Sequence, residues 1–427
     1  RFSFLISALF IEIILASLDV SGVVSFSDIL ISVRDHIICI TITILCVLSL
    51  TELLYPTHKN FSNQIYLIAL FSTAFLSTIK YYFGPDIFIY VPMYEEIPRV
   101  EEILAPGFKS KYEIGFLIFC SICNHWLGLS FWWMTAIIDI LFFIALHLVL
   151  KQLPYLRTFA LFAIILLETN LIFFELRQCL AVTLFTFSML AFNKEKYIIY
   201  AATTIVAILM HKSASFVCMI TLFTLLILRF KRTNTLFAVS MVFIVVFLAI
   251  PLKSLLLTMS SYLPLDANVL KSIQDHLTIE RRVQVIFMIY ALVLYIGYIY
   301  FSRKKELKTW HAVAVCGLLL IALFYQYWFF INRLRSYFLP FIAIYIINLA
   351  INNRGYQPLI KQMSVAAFYC LFLVNLSNLY KGNANLKSGI AETSTIFQLR
   401  NESAESIKAR NMQKAKTYWL TEYIAKE

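Results

Sequence analysis

Arg177 and Gln178 open the apolar run 179–192, and Glu175 stands two residues before the arginine. A guanidinium is always charged and offers a planar fork of donors, which suits the oxygens of a phosphate or carboxylate. The same placement also fits an interfacial arginine that snorkels out of the membrane to pair with Glu175. His211, Lys212, Ser213 and Ala214 fill a tight junction between two further apolar runs. An imidazole there can act as general base, donate to an anion, or satisfy the backbone. Gly84, Pro85 and Asp86 open a loop that continues through Tyr90, Tyr94, Glu95, Glu96 and Arg99. A carboxylate beside aromatic rings can take the proton of a sugar hydroxyl while tyrosines stack on the pyranose. Asp86 equally fits the cap of a short helix. Arg333 and Arg335, next to Asn332, precede the run 336–350, and Arg281 and Arg282 close a loop that holds Asp266, Asp275 and Glu280. The last two suit either substrate contact or solvated pairing with those carboxylates.

The elements that must position these groups follow from composition. Of 427 residues, 61% are apolar and only 14% are charged, against roughly half and a quarter in a soluble chain. Unbroken apolar runs recur along the whole length, which excludes a single soluble domain, a secreted disulfide scaffold and a β-barrel of alternating strands. The expectation is an all-α polytopic integral membrane protein with roughly 12–14 transmembrane helices. The runs are expected near 2–20, 36–55, 63–82, 113–129, 131–150, 157–174, 176–193, 196–211, 213–230, 234–252, 283–301, 309–330, 334–351 and 361–380. The first lacks a small-residue cleavage site and reads as a retained span. Residues 1–380 are then one polytopic membrane domain with external loops 83–112 and 253–282, and 381–427 are a polar tail whose charged, Gly- and Pro-free end predicts a surface helix.

Net charge is 36 − 24 = +12. Short basic clusters between runs, such as Arg229, Lys231 and Arg232, account for much of it by the positive-inside rule, so no nucleic-acid role is assigned. With those clusters cytoplasmic, the segments 168–177, 211–215, 251–282 and 329–337 fall on the outer face. To keep this topology consistent, one of the runs 113–129 and 131–150 must stop short of crossing; the first is favoured, because Asn124, His125 and Trp126 interrupt it. Arginines are thus in excess on the face where few are expected, which implies a polyanionic ligand, naturally a lipid phosphate or pyrophosphate. No Asp-x-Asp pair stands in the external loops and no Gly-rich phosphate loop is present, so neither a metal nor a nucleotide cofactor is expected. Eight cysteines lie in apolar runs, and the lone close pair Cys120 and Cys123 carries no metal signature.

Four stretches in order, residues 83–94 (FGPDIFIYVPMY), 113–116 (EIGF), 176–181 (LRQCLA) with 211–214 (HKSA), and 332–338 (NRLRSYF), resemble the EpsG family of bacterial polysaccharide-polymerising membrane proteins, related in role to Wzy polymerases. The likeness covers roughly residues 60–350; Pro85 replaces the family's usual threonine. It implies a glycosyltransferase-C-like fold in the bacterial cytoplasmic membrane, and the joining of undecaprenyl-pyrophosphate-linked repeat units into O-antigen, capsular or exopolysaccharide with the site facing the periplasm or exterior. Asp86 or His211 would then be the base, Arg177, Arg333 and Arg335 would hold the pyrophosphate, and Tyr90, Tyr94, Gln178, Arg281 and Arg282 would contact the substrate. A chain-length regulator is a further expected partner. A lipid-linked oligosaccharide flippase, or another polyprenyl-phosphate-dependent transferase or ligase, is the alternative; the absence of visible repeats and the scarcity of Gly and Pro speak against a transporter.

Overall fold

In a computed structural model of the chain, the described residues are 37–54, 59–81, 86–229, 309–323, 328–352 and 403–419. Arg281, Arg282, the loop 253–282 and the runs 2–20, 234–252, 283–301 and 361–380 lie outside them. The described residues are helical throughout their regular structure: α1 (Ile37–Leu54), α2 (Lys59–Thr78), α3 (Ile87–Glu95), α4 (Val100–Ile103), α5 (Ile114–Ser121), a π-helical turn (Ile122–Trp126), α6 (Phe131–Leu150), α7 (Arg157–Leu167), α8 (Thr169–Phe173), α9 (Leu176–Asn193), α10 (Tyr197–Met210), α11 (Ser213–Arg229), α12 (Thr309–Leu323), α13 (Trp328–Asn352) and α14 (Ala404–Trp419).

Every apolar run that falls on described residues forms helix there, and these helices do not by themselves supply the expected 12–14 spans. Among the described residues, α6 and α9 are long and apolar enough to cross a bilayer. Helices α7 and α10 are apolar but reach only 11 and 14 residues, short of the ~20 that a bilayer core requires. The run 157–174 is broken because Glu168 leaves helical geometry at φ −114°. The run 113–129 gives 8 residues of α-helix and 5 of π-helix, a rise of about 20 Å against a core of about 30 Å. Large apolar side chains nevertheless face outward in stripes, Ile68, Phe71 and Phe75 on α2 and Trp133, Ile140 and Ile144 on α6. Contiguous exposed apolar surface of this kind is stable against lipid and unfavourable against water.

The chain divides into two compact units, one containing residues up to Thr183 and from Ile347 on, the other Leu184–Ile346. In the first, α1, α2, α6 and α7 pack on one another. Glu52, fully buried near the end of α1, accepts the backbone N–H groups of Arg157 (3.2 Å), Thr158 (2.9 Å) and Phe159 (3.2 Å). A carboxylate thereby satisfies the otherwise orphaned donors and the positive dipole end at the start of α7. At the opposite end of the same helices, Lys80 and Asp139 are 4% and 1% exposed, with Nζ 3.0 Å from Oδ2 and also donating to the Ile172 carbonyl at 3.0 Å. The single ammonium therefore ties the end of α2 to the middle of α6 and to α8.

In the second unit, α10, α11 and α12 pack in sequence, and aromatic rings join α12 to α13. Trp310 stacks on Phe341 at 5.6 Å, and a Cβ on Gly317 would run into the Phe338 ring, so glycine is what lets these two helices approach.

Candidate functional site

Helix α3 is the short element that carries the loop's chemistry. Asp86 occupies its N-cap position, and its backbone carbonyl accepts from Tyr90 N at 2.9 Å. Its side chain makes no cap hydrogen bond, so the capping role that the sequence allows is not the one its carboxylate performs. The far end of α3 is held by the π-turn: Asn124 Nδ2 donates to the Tyr94 carbonyl at 2.8 Å, and His125 Nε2 bonds the Ile97 carbonyl at 2.7 Å. The polar residues that interrupt the run 113–129 are thus spent on carbonyls that a helix terminus leaves open. Tyr94 donates its hydroxyl to the Leu129 carbonyl at 2.9 Å and sets its ring edge-on to Phe131 at 5.7 Å.

Arg177, in the first turn of α9, meets this helix. Its Nε donates to the Tyr90 hydroxyl at 2.7 Å, and its Nη1 reaches Glu113 Oε2 at 2.5 Å. The guanidinium also lies over the rings of Tyr90 and Tyr112, at 5.6 and 5.3 Å. The carboxylate on Arg177 is therefore Glu113, from the EIGF stretch, rather than its near neighbour Glu175. Among the described residues Nη2 donates to no protein acceptor, and the side chain keeps 23% of its surface exposed. Burial pushes the Tyr90 phenol above its ordinary pKa; the Arg177 charge pulls it down, and the nearby Asp86 carboxylate adds to the rise. Tyr90 thus accepts from Arg177 as a neutral phenol. Gln178 is 3% exposed and, one residue on, points about 100° round the helix from Arg177.

His211 lies in the second unit, at the C-cap of α10, and is 6% exposed. Its Nδ1 accepts the Ser213 backbone N–H at 3.2 Å and lies 2.7 Å from Ser213 Oγ, which is 2.9 Å from the Tyr337 hydroxyl. Because a backbone N–H can only donate, Nδ1 is an acceptor and the ring proton sits on Nε2. The chain of donors then runs from Tyr337 through Ser213 to His211. Arg333 and Arg335 do not precede their helix but lie within α13, where both side chains are half-buried. Arg333 stands four residues before Tyr337, hence on the same face and one turn away.

The fold therefore gathers Asp86, Tyr90 and Arg177 in the first unit, and His211 with the α13 segment of Arg333 in the second. Spacing does not reach Glu113, Tyr112, Ser213 or Tyr337. Two of these stand inside the quoted stretches EIGF and HKSA, and Tyr337 inside NRLRSYF, so their signal is adjacency to a chosen residue. Asp139 is likewise readable as a carboxylate in the middle of an apolar run. The described residues contain no group of three or more His, Cys, Asp or Glu able to hold a metal ion.

The model of the EpsG family matches residues 63–387, so the chain belongs to that family, one of Wzy-type polysaccharide polymerase-like membrane proteins. Comparisons with curated proteins and with solved structures give no match.

Proposed function

We propose, from membership in the EpsG family, that this protein joins undecaprenyl-pyrophosphate-linked oligosaccharide repeat units into a long polysaccharide at the outer face of the bacterial cytoplasmic membrane. The observation that carries the reading is Arg177 fixed by Tyr90 and Glu113, with Tyr90 one helical turn from Asp86. A fork held by two partners, with Nη2 left over, is preorganised for an anionic oxygen and loses little freedom on binding it.

In this reading a hydroxyl of one unit attacks the anomeric carbon of another. The new glycosidic C–O bond forms as the C–O bond to pyrophosphate breaks, the electron pair departs on the pyrophosphate oxygen, and the hydroxyl proton passes to Asp86. Arg177 stabilises charge growing on the leaving oxygen, and we assign Arg333 and Arg335 to pyrophosphate as well. The arrangement at His211 favours an Nε2–H donor over a base, since its other nitrogen already accepts two bonds; that leaves Asp86 as the base. Tyr90, Tyr94 and Gln178 are assigned to the substrate, and Arg281 and Arg282 to its outer parts.

The test is a gel profile of surface polysaccharide from cells with and without the gene, with the lipid-linked pool extracted in parallel. The reading predicts single repeat units and no long ladder after deletion, restored by the wild-type gene and not by Asp86→Asn. A lost ladder with lipid-linked units held inside the cell would make the protein a flippase instead.

A further inference from the structure

One turn beyond Tyr90, α3 turns a second set of side chains toward an open cavity of about 580 Å³ in the first unit, lined by Tyr81, Tyr94, Glu95, Asn124, Phe131 and Trp132 among others. Its size falls within the range of small-molecule sites, roughly 300–1,000 Å³. Its walls are aromatic: Tyr81 and Trp132 are tilted at 4.9 Å, Phe131 meets Trp132 edge-on at 4.9 Å, and Tyr94 meets Phe131 at 5.7 Å. Polar groups converge on the same space. Asn124 spends Nδ2 on the Tyr94 carbonyl, which turns its amide oxygen to acceptor duty. Glu95, more than half exposed, is joined at 2.9 Å by Lys408 of α14.

This combination selects among ligands. A lipid tail asks for aliphatic walls, and a phosphate asks for cations without a carboxylate among them. Flat aromatic faces beside a carboxylate and an amide suit a ring that is apolar on its faces and hydroxylated at its edge, that is, a sugar. Location agrees. Phe131 and Trp132 begin α6, one of the two described helices able to span, and Trp126, Leu127 and Trp133 close by are 60–66% exposed. Exposed tryptophans at the mouth of a span mark the membrane–water boundary. Four residues of α3 separate Tyr94 from Tyr90, a rise of about 6 Å, on the scale of one monosaccharide.

We propose that this cavity is a saccharide subsite that stacks a sugar of the lipid-linked unit on Trp132 and Tyr81, one residue away from the sugar held at Arg177 and Tyr90. Glu95 and Asn124 accept from its hydroxyls, and α14, packed on α3, closes the rim through Lys408. The proposal takes the source of the sugar from the polymerase reading.

Two measurements on the purified full-length protein in nanodiscs separate them. The first titrates the free oligosaccharide, released by mild acid from lipid-linked units of deletion cells, and reads binding by titration calorimetry. Trp132→Ala is expected to weaken binding about tenfold, the scale of one lost aromatic contact, with Trp132→Phe recovering most of it. The second follows polymerisation of the lipid-linked unit, where Trp132→Ala and Tyr81→Ala raise KM about tenfold with kcat little changed, and where inhibition by sugar-free undecaprenyl pyrophosphate stays at the wild-type level. Unchanged oligosaccharide binding in Trp132→Ala overturns the subsite, as does an equal loss of undecaprenyl pyrophosphate inhibition, which would make the cavity a lipid site. Oligosaccharide binding that depends on Trp132 without any polymerisation by the wild type would sustain the subsite and overturn the polymerase reading.

Discussion

Arg177 and Glu113 form an ion pair at 2.5 Å across 64 residues of chain, with Tyr90 on the neighbouring guanidinium nitrogen. The pair places the start of α9 against the loop before α5, and among the described residues Nη2 of the fork donates to no protein acceptor.

Replacing that fork tests its geometry apart from its charge. Arg177→Lys keeps the cation and loses the planar donors, and is expected to lower polymerisation between ten- and a hundredfold, the worth of one charge-assisted hydrogen bond of about 1.5–3 kcal/mol. Arg177→Ala is expected to abolish it at normal membrane levels. Polymer yield from Arg177→Lys equal to wild type would show that charge alone suffices.

Tyr90 predicts a pH dependence. Its folded pKa lies above the ordinary phenol value, so its contribution to stability is complete below about pH 10 and is lost as pH rises through the folded value. The melting-temperature difference between wild type and Tyr90→Phe is therefore expected to stay constant from pH 7 to 9 and to shift against the wild type above about pH 10. A difference that begins to move near neutrality would contradict a buried neutral phenol.

The tautomer at His211 separates a donor from a base. Glutamine places its amide N–H where Nε2–H stands, whereas asparagine places its amide oxygen nearer Nδ1. With Nδ1 already taken by Ser213, His211→Gln is expected to retain part of the activity and His211→Asn almost none. Equal and complete loss in both, with normal folding, would return the base role to histidine.

Lys80 and Asp139 are a buried pair, and breaking one costs more than removing both. Asp139→Leu or Lys80→Met alone is expected to destabilise by about 3–5 kcal/mol, and the two changes together by much less. Thermal unfolding in detergent reads both. A double variant as unstable as the sum of the singles would mean that the pair contributes nothing as a pair.

Much of the helical layout is legible in the sequence, because apolar runs the length of α6 and α9 have a single compact outcome and their ends coincide with Phe131, Leu150, Leu176 and Asn193. What sequence gives only in part is where a run breaks. Nothing in the pattern announces the break at Glu168 within 157–174, whereas Asn124 and His125 are visible as polar groups inside 113–129, and only the structure shows the Tyr94 and Ile97 carbonyls they hold. The site shows the same division. Arg177 and Asp86 stand out as charges beside apolar runs, whereas Glu113 becomes a partner only once α5 and α9 converge. Lys80 with Asp139 is a pairing of the same kind: each residue is visible as a misplaced charge, and only packing supplies the partner.

The most direct measurement reconstitutes the purified chain in proteoliposomes with lipid-linked repeat units extracted from deletion cells, and counts released undecaprenyl pyrophosphate against new glycosidic bonds. One pyrophosphate lipid is expected for each bond, with both lost together in Asp86→Asn and Arg177→Ala. Units that cross the bilayer without any bond formed would contradict it.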